Sequence, residues 1–165
     1  MSQVRGRPSV AAGILIGTGM GGFVDGILFH QILQLHNMLS ARYPKTGVEP
    51  ATALANVEIN MFWDGLFHAF CFLTTAVGIG LLWRSVGSGS PRLSARAFLG
   101  SVAFGWGLFN LTEGLIDHEL LGIHHVVEDG RHLPWDLAFL ASGVLLILGG
   151  WYSVAREDSG PRTVV

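Results

Sequence analysis

Residues 15–38 read LIGTGMGGFVDGILFHQILQLHNM, and residues 103–126 read AFGWGLFNLTEGLIDHELLGIHHV. Placed one above the other without a gap, Gly17, Gly19, Gly26, His30 and His36 fall on Gly105, Gly107, Gly114, His118 and His124, and Asp25 falls on Glu113. The common pattern is an acid, a glycine, three residues and a histidine, then five residues and a second histidine. Both copies lie in apolar segments that look membrane-spanning. Acids and histidines duplicated inside such segments need a physical reason, and a bound metal ion is the leading one.

Composition sets the surroundings. Half of the 165 residues are hydrophobic and only 13% are charged, with a mean hydropathy of +0.47. A soluble domain carries about twice that share of charge, so the excess apolar surface is expected to face lipid. Twenty-three glycines fit close packing between membrane helices. The net charge of −2 and the lack of a basic cluster argue against a nucleic-acid partner, and the single cysteine, Cys71, excludes an internal disulfide or a cysteine-rich metal site.

Four apolar spans are expected, near residues 10–35, 59–83, 97–121 and 135–154, each close to the roughly 20 residues needed to cross a hydrocarbon core. Backbone groups in lipid must pair internally, so each span should be helical. Ala51 onward could already be helical, lengthening the second helix beyond the membrane, and Ser94 is suited to cap the third. The segment 85–91 reads as a flexible turn and the tail beyond Arg156 as disordered.

Arg5, Arg7, Arg84, Arg92, Arg96, Arg156 and Arg162 lie on one side of these spans, against Arg42, Lys45 and Arg131 on the other. That bias predicts cytoplasmic termini. Arg5 and Arg7 before an apolar run also resemble a signal peptide, but no clean cleavage site follows and cleavage would destroy one copy of the pattern. The expected layout is a cytoplasmic segment 1–9, one transmembrane domain 10–155 and a cytoplasmic tail 156–165. Trp63-Asp64 in the second span matches Trp135-Asp136 in the fourth. The fold is therefore expected to be an all-α integral membrane four-helix bundle built from a tandem two-helix repeat, about 10–83 and 97–154. Both copies start on the same side, a parallel arrangement known in transporters but not confined to them.

Counting about 1.5 Å per residue along each helix places Asp25, His30, Asp64, His68, Glu113, Asp117, His118 and Asp136 in one layer toward the outer face. Asp64 and His68 share a helical face at four-residue spacing. Asp25 and His30 lie about 140° apart on a regular helix, as do Glu113 and His118, and meet only near the bundle centre or at a bulge. His36 and His124 are expected about two turns above the layer, capping the site or lining its entrance. Asp25 and His36 would then sit about 16 Å apart along the axis, too far to share an ion on a regular helix.

The metal-ligand candidates are His30, His68, His118, Asp25, Asp64, Glu113, Asp136, His124 and His36. Carboxylate with imidazole suits a divalent transition metal, Zn, Cu, Fe or Mn. The bland alternatives are an Asp–His hydrogen-bond network, carboxyls kept neutral by burial, and, for Asp136, a helix-start acid after Pro134. His125 and His132 read as loop residues, and Cys71 as a small apolar one. Trp63, Trp135 and Tyr43 suit an outer aromatic belt.

The runs GFVDGILFHQILQLHNMLS, FWDGLFHAF and LTEGLIDHELLGIHHV resemble a bacterial family of small four-helix membrane proteins with no assigned function. The likeness spans nearly all of residues 10–155. It implies a multi-pass protein of the bacterial inner membrane and no established activity.

The leading functional expectation is an integral membrane metalloprotein with an Asp/Glu/His site, dinuclear in one form, near the extracytoplasmic face. Hydrolysis of a lipid or small amphiphile, or redox chemistry, would follow from the metal, with Asp64, Glu113 or Asp117 as general base. Metal handling or oxidase assembly is one alternative, although Met and Cys are too sparse for a Cu(I) carrier. A proton- or ion-coupled transporter is another, and four helices would then need a homodimer. Haem ligation by paired histidines fits poorly beside clustered carboxylates.

Overall fold

The computed structural model describes residues 7–88 and 94–158. The expectations for Arg5, Arg92, Arg162 and most of the tail lie outside the described residues. The described residues form helices and loops, with no strand among them.

Helix α1 spans Arg7–Val24 and runs on as a π-helix over Asp25–Ile32. Helix α2 spans Pro50–Gly87. Helix α3 spans Ala95–Glu113 and runs on as a second π-helix over Gly114–Leu120. Helix α4 spans His132–Asp158. The fold is an all-α helical bundle.

Local chemistry explains the ends. Pro50 opens α2, where a missing N–H costs nothing, and the Glu49 carboxylate accepts from the N–H groups of Ala51 and Thr52 at 3.0 and 3.3 Å. The second helix therefore starts well before the apolar span, as its sequence allowed, and its 38 residues carry it through Gly87, so that 85–87 are helical where a turn was expected and 89–91 lie outside the described residues. Ser94 caps α3, its hydroxyl accepting from the Ala97 N–H at 3.2 Å.

Among the described residues, three helical stretches are long and apolar enough to cross a membrane: Ser9–Ile32, Pro50–Gly87 and His132–Arg156. The expected third span falls on α3, which is not among them. Its polar residues explain why: Ser101, Asn110 and Glu113 are buried against neighbouring helices instead of facing outward. Packing runs in the order α2–α1–α3–α4. The inner pair, α1 and α3, hold the buried surface, while α2 and α4 leave large apolar side chains such as Phe70, Leu73, Leu145 and Trp151 exposed.

Gly17 and Gly105 set the contact between the inner helices. A methyl on Gly17 would strike the Val102 carbonyl, and one on Gly105 would strike the Ile14 carbonyl. Each glycine thus lets the opposite backbone in, a close approach that only small residues permit. The two contacts exchange matching positions. Others do the same: Ser40 donates to Glu128 at 2.8 Å across a separation of 88 residues, the separation that relates Gly17 to Gly105.

Both π-helices end alike. The Leu33 N–H donates to the Leu28 carbonyl and the Leu121 N–H to the Ile116 carbonyl, each at 2.8 Å. The next residue but one then donates to a carbonyl six positions back, Leu35 to Phe29 and Ile123 to Asp117. Between these bonds the chain turns through a left-handed residue, Gln34 at φ 52° and Gly122 at φ 53°. That turn sends the following loops back over the helix ends.

Candidate metal centre

The π-helices decide which side chains meet. Their hydrogen bonds span five residues rather than four, so positions five apart come to the same face. Asp25 and His30, about 140° apart on a regular helix, are brought together: His30 Nε2 lies 3.0 Å from Asp25 Oδ2. Glu113, the last residue of α3, and His118, on the second π-helix, are their counterparts, and all four side chains are buried.

The returning loops supply two further histidines. His36 and His124 do not stand two turns above the layer, as a continued helix would put them. The helix ends at Ile32, and the reversal drops His36 to 3.9 Å from Asp25 Oδ1. His124 Nε2 comes to 3.3 Å from Glu113 Oε1. Their imidazoles stack with centroids 4.8 Å apart and planes 3° from parallel. His30 meets His36 edge-on at 4.5 Å, and His118 meets His124 edge-on at 4.9 Å. Four imidazoles and two carboxyls share one pocket. One donor atom each from His30, His36, Glu113 and His124 lies within 4.8 Å of the others.

The far sides of these rings are held by oxygen. His30 Nδ1 is 3.0 Å from Asp64 Oδ1, and His36 Nδ1 is 3.0 Å from the Val126 carbonyl. His124 Nδ1 is 3.1 Å from the Met38 carbonyl. His118 Nδ1 lies 3.1 Å from Asp136 Oδ1, close but outside hydrogen-bond geometry. A ring that donates from Nδ1 presents a lone pair on Nε2, the arrangement that carboxylates and carbonyls impose on metal-binding histidines. His36 and His124 each lean on the carbonyl two residues beyond the other.

Asp64 and Asp136 also tie the loops to the outer helices. Asp64 accepts from the Met38 N–H at 2.9 Å and from Gln31 and Asn37 at 3.1 and 2.6 Å. Asp136 accepts from the Val126 N–H at 3.0 Å. Its other oxygen faces His125 Nδ1 at 2.8 Å and His132 Nδ1 at 3.1 Å. His125 and His132 stack with centroids 3.8 Å apart and are partly exposed. These three residues form a second group with metal-ligand chemistry. Both were expected in the loop, but only His125 lies there, and His132 opens α4. A signal was present, since His125 and His132 stand where the first half has Asn37 and Asn60, residues that secure the matching loop.

The remaining candidates lie elsewhere. His68 shares a face with Asp64 as expected, but its Nδ1 donates to the Asp64 carbonyl at 2.7 Å, and its ring stacks by Phe23, outside both groups. Asp117 lines an apolar cavity beside Glu113. Cys71 is buried with its sulfur toward Gly22 and belongs to neither group.

Six polar atoms in the centre have no hydrogen-bond partner among the described residues: Asp25 Oδ2, His30 Nε2, His36 Nε2, Glu113 Oε2 and both ring nitrogens of His118. His30 Nε2 and Asp25 Oδ2 nevertheless face each other at 3.0 Å, and His118 Nδ1 faces Asp136 Oδ1 at 3.1 Å, leaving His36 Nε2, Glu113 Oε2 and His118 Nε2 without a partner at such distances, and a buried unsatisfied group costs about 1–3 kcal/mol. Burial, reinforced by His36 and His118, also pushes the His124 pKa well below its ordinary 6.5. That ring is neutral at pH 7 and free to donate its lone pair.

A profile of known families matches residues 12–157 and describes predicted membrane proteins. The chain belongs to the DUF2243 family. The match takes in both π-helices, both returning loops and all four helices, so the whole of the histidine centre lies within the family's domain. No curated protein and no solved structure matches the chain.

Proposed function

We propose that this protein is a membrane metalloprotein whose four-imidazole, two-carboxyl centre binds a divalent first-row transition metal. One observation carries the reading: buried donor atoms lacking hydrogen-bond partners converge while the outer nitrogens of the same rings are held by oxygen. An Asp–His network alone pairs His30 with Asp25 but leaves His36 Nε2, Glu113 Oε2 and His118 Nε2 unsatisfied. Imidazole with carboxylate suits Zn, Fe or Cu(II). His30, His36, Glu113 and His124 would form the primary set, with Asp25 and His118 closing it or holding a second ion.

The duplicated contacts support a tandem two-helix repeat, with the centre on its pseudo-two-fold axis. We place both termini on the cytoplasmic side of a bacterial inner membrane, from the arginine bias, and the centre toward the opposite face. Of the three general-base candidates, Asp64 is occupied by its donors and Glu113 belongs to the donor set. Asp117 is the one left beside the centre, at the wall of a cavity. Hydrolysis or redox chemistry on a ligand in that cavity fits this arrangement.

The His132–Asp136–His118 sequence, which runs from a partly exposed ring to a buried one, favours a second role, passage of the metal or of protons to the centre. Elemental analysis of detergent-purified protein tests the main reading, with a His30→Ala/His118→Ala variant beside it. The expected result is about one or two ions of Zn, Fe or Cu per chain in the parent and loss in the variant. Metal-free parent protein of full thermal stability would refute the metal centre. Liposome flux lost on Asp25→Asn would then identify an ion pathway.

A further inference from the structure

The two halves differ most beside the centre. Between α2 and α3 lies a cavity of about 620 Å³, within the range of small-molecule sites. Its walls are apolar, with Trp63 and Phe67 from α2 and Leu108 and Phe109 from α3. Its polar groups include the carboxyls of Glu113 and Asp117. Glu113 is also a donor of the histidine centre, so the cavity and the centre share a wall. Trp63, Leu66 and Phe70 line the cavity and are also exposed on the apolar outer surface of α2. The opening therefore faces where lipid would lie.

The matching place in the other half is differently built. Thr18 lines the cavity, and its counterpart 88 residues on, a spacing shared with Ser40 and Glu128, is Trp106. The Trp106 indole packs on Gly21, filling the space that a threonine leaves. The counterpart of Asp117 is Phe29, whose ring lies against His36 with centroids 6.3 Å apart. One half is packed with aromatic rings, and the other keeps a cavity ending in two carboxyls.

We infer that this cavity binds a long-chain amphiphile, admitted sideways from the bilayer between α2 and α3, with its apolar chain on Phe67 and Phe109 and its polar head at Glu113 and Asp117. The inference rests on the metal-centre reading for what happens to the head group, and on the cavity alone for binding. A water-soluble polar substrate would find few partners along these walls, whereas an apolar molecule with no head group would leave the carboxyls buried against hydrocarbon.

The test uses the full-length chain in detergent and a long-chain alcohol bearing a photoactivatable diazirine on its chain. Labelled residues are mapped by mass spectrometry, and metal content is measured on the same samples. Labelling is expected at Phe67, Phe109 and Thr112, falling roughly ten-fold in Thr18→Trp, which copies the filled half. Leu108→Trp fills the rim from another side and gives the same comparison should Thr18→Trp fail to fold. Metal content is expected to stay at the parent level in both. Labelling confined to the outer faces of α2 and α4, or unchanged in the folded tryptophan variants, overturns the cavity assignment. Cavity labelling in preparations that hold no metal supports the assignment and refutes the metal centre alone.

Discussion

The first half of the molecule, through Asp64, and the second, through Asp136, agree where donor atoms meet and differ where they face outward. Asp25 and Glu113, His30 and His118, and His36 and His124 converge on one pocket. Asp64 and Asp136 each receive the N–H of a matching loop residue, Met38 and Val126. Around those carboxylates the halves diverge: Asp64 is closed off by Gln31 and Asn37, and Asp136 by the partly exposed His125 and His132. Each half contributes two of the four donors that lie within 4.8 Å of one another, His30 and His36 from the first, Glu113 and His124 from the second. The divergence separates a flank held by amides, Gln31 and Asn37, from one held by two stacked imidazoles, His125 and His132.

The largest expected effect tests that equality. Asp64→Asn and Asp136→Asn each remove the negative charge that holds a histidine ring, and outer partners of this kind typically contribute 10–100-fold to metal affinity. Chelator competition should show losses of that size for both variants, alike within a few-fold. A loss confined to one would break the comparison and place the ion in a single half.

Gly17→Ala and Gly105→Ala come next. Each puts a methyl into the opposite backbone carbonyl, and overpacking of this sort costs about 1–3 kcal/mol. Thermal unfolding in detergent should show similar drops for the two. Because they act on one α1–α3 contact, the double variant should fall short of the sum.

A smaller effect follows from His124. Its pKa lies well below 6.5 when folded and near that value when unfolded. Between the two values the unfolded chain binds the extra proton, so this contribution to stability is present above about pH 6.5 and lost as pH falls below it. The slope from one group is at most about 1.4 kcal/mol per pH unit. Chelator-treated protein should melt at lower temperature at pH 5.5 than at pH 7.5, and His124→Asn should flatten the dependence. An unchanged slope in that variant would assign it to other groups.

The smallest effect sharpens the comparison at the two reversals. Gln34 and Gly122 share a left-handed backbone, near φ 52° and 53°. A residue with a Cβ is strained there by roughly 1–2 kcal/mol, and glycine is not. Gln34→Gly should therefore stabilise the protein by about 0.5–1 kcal/mol, once the entropy lost on ordering a glycine is included. Gly122→Ala should destabilise it by about 1 kcal/mol. Matched unfolding curves check both.

Much of the fold was legible in the residues. Apolar runs of membrane length gave helices, Ser94 gave a cap, and the duplicated acid–histidine pattern pointed to the pocket. His36 and His124 were misplaced because counting along a regular helix carries no information about where the helix widens and stops. His68 was overrated because i, i+4 spacing puts it beside Asp64, but its ring bonds to the Asp64 carbonyl of its own helix. His125 is hidden because a loop residue has no periodicity from which to infer a face, and His132, expected in the loop, is the first residue of α4, four residues before Asp136 on the same helix.

The sequence by itself determined the helices, their apolar surfaces and which residues recur, since these depend on local composition and spacing. Only the tertiary structure decided which recurring residues meet. Two π-helices turn residues five apart onto one face, and each returning loop anchors its histidine on a carbonyl of the other half. Those bonds link positions 86 and 90 residues apart. No local rule specifies them, because they exist only once α1 and α3 have packed through their glycines.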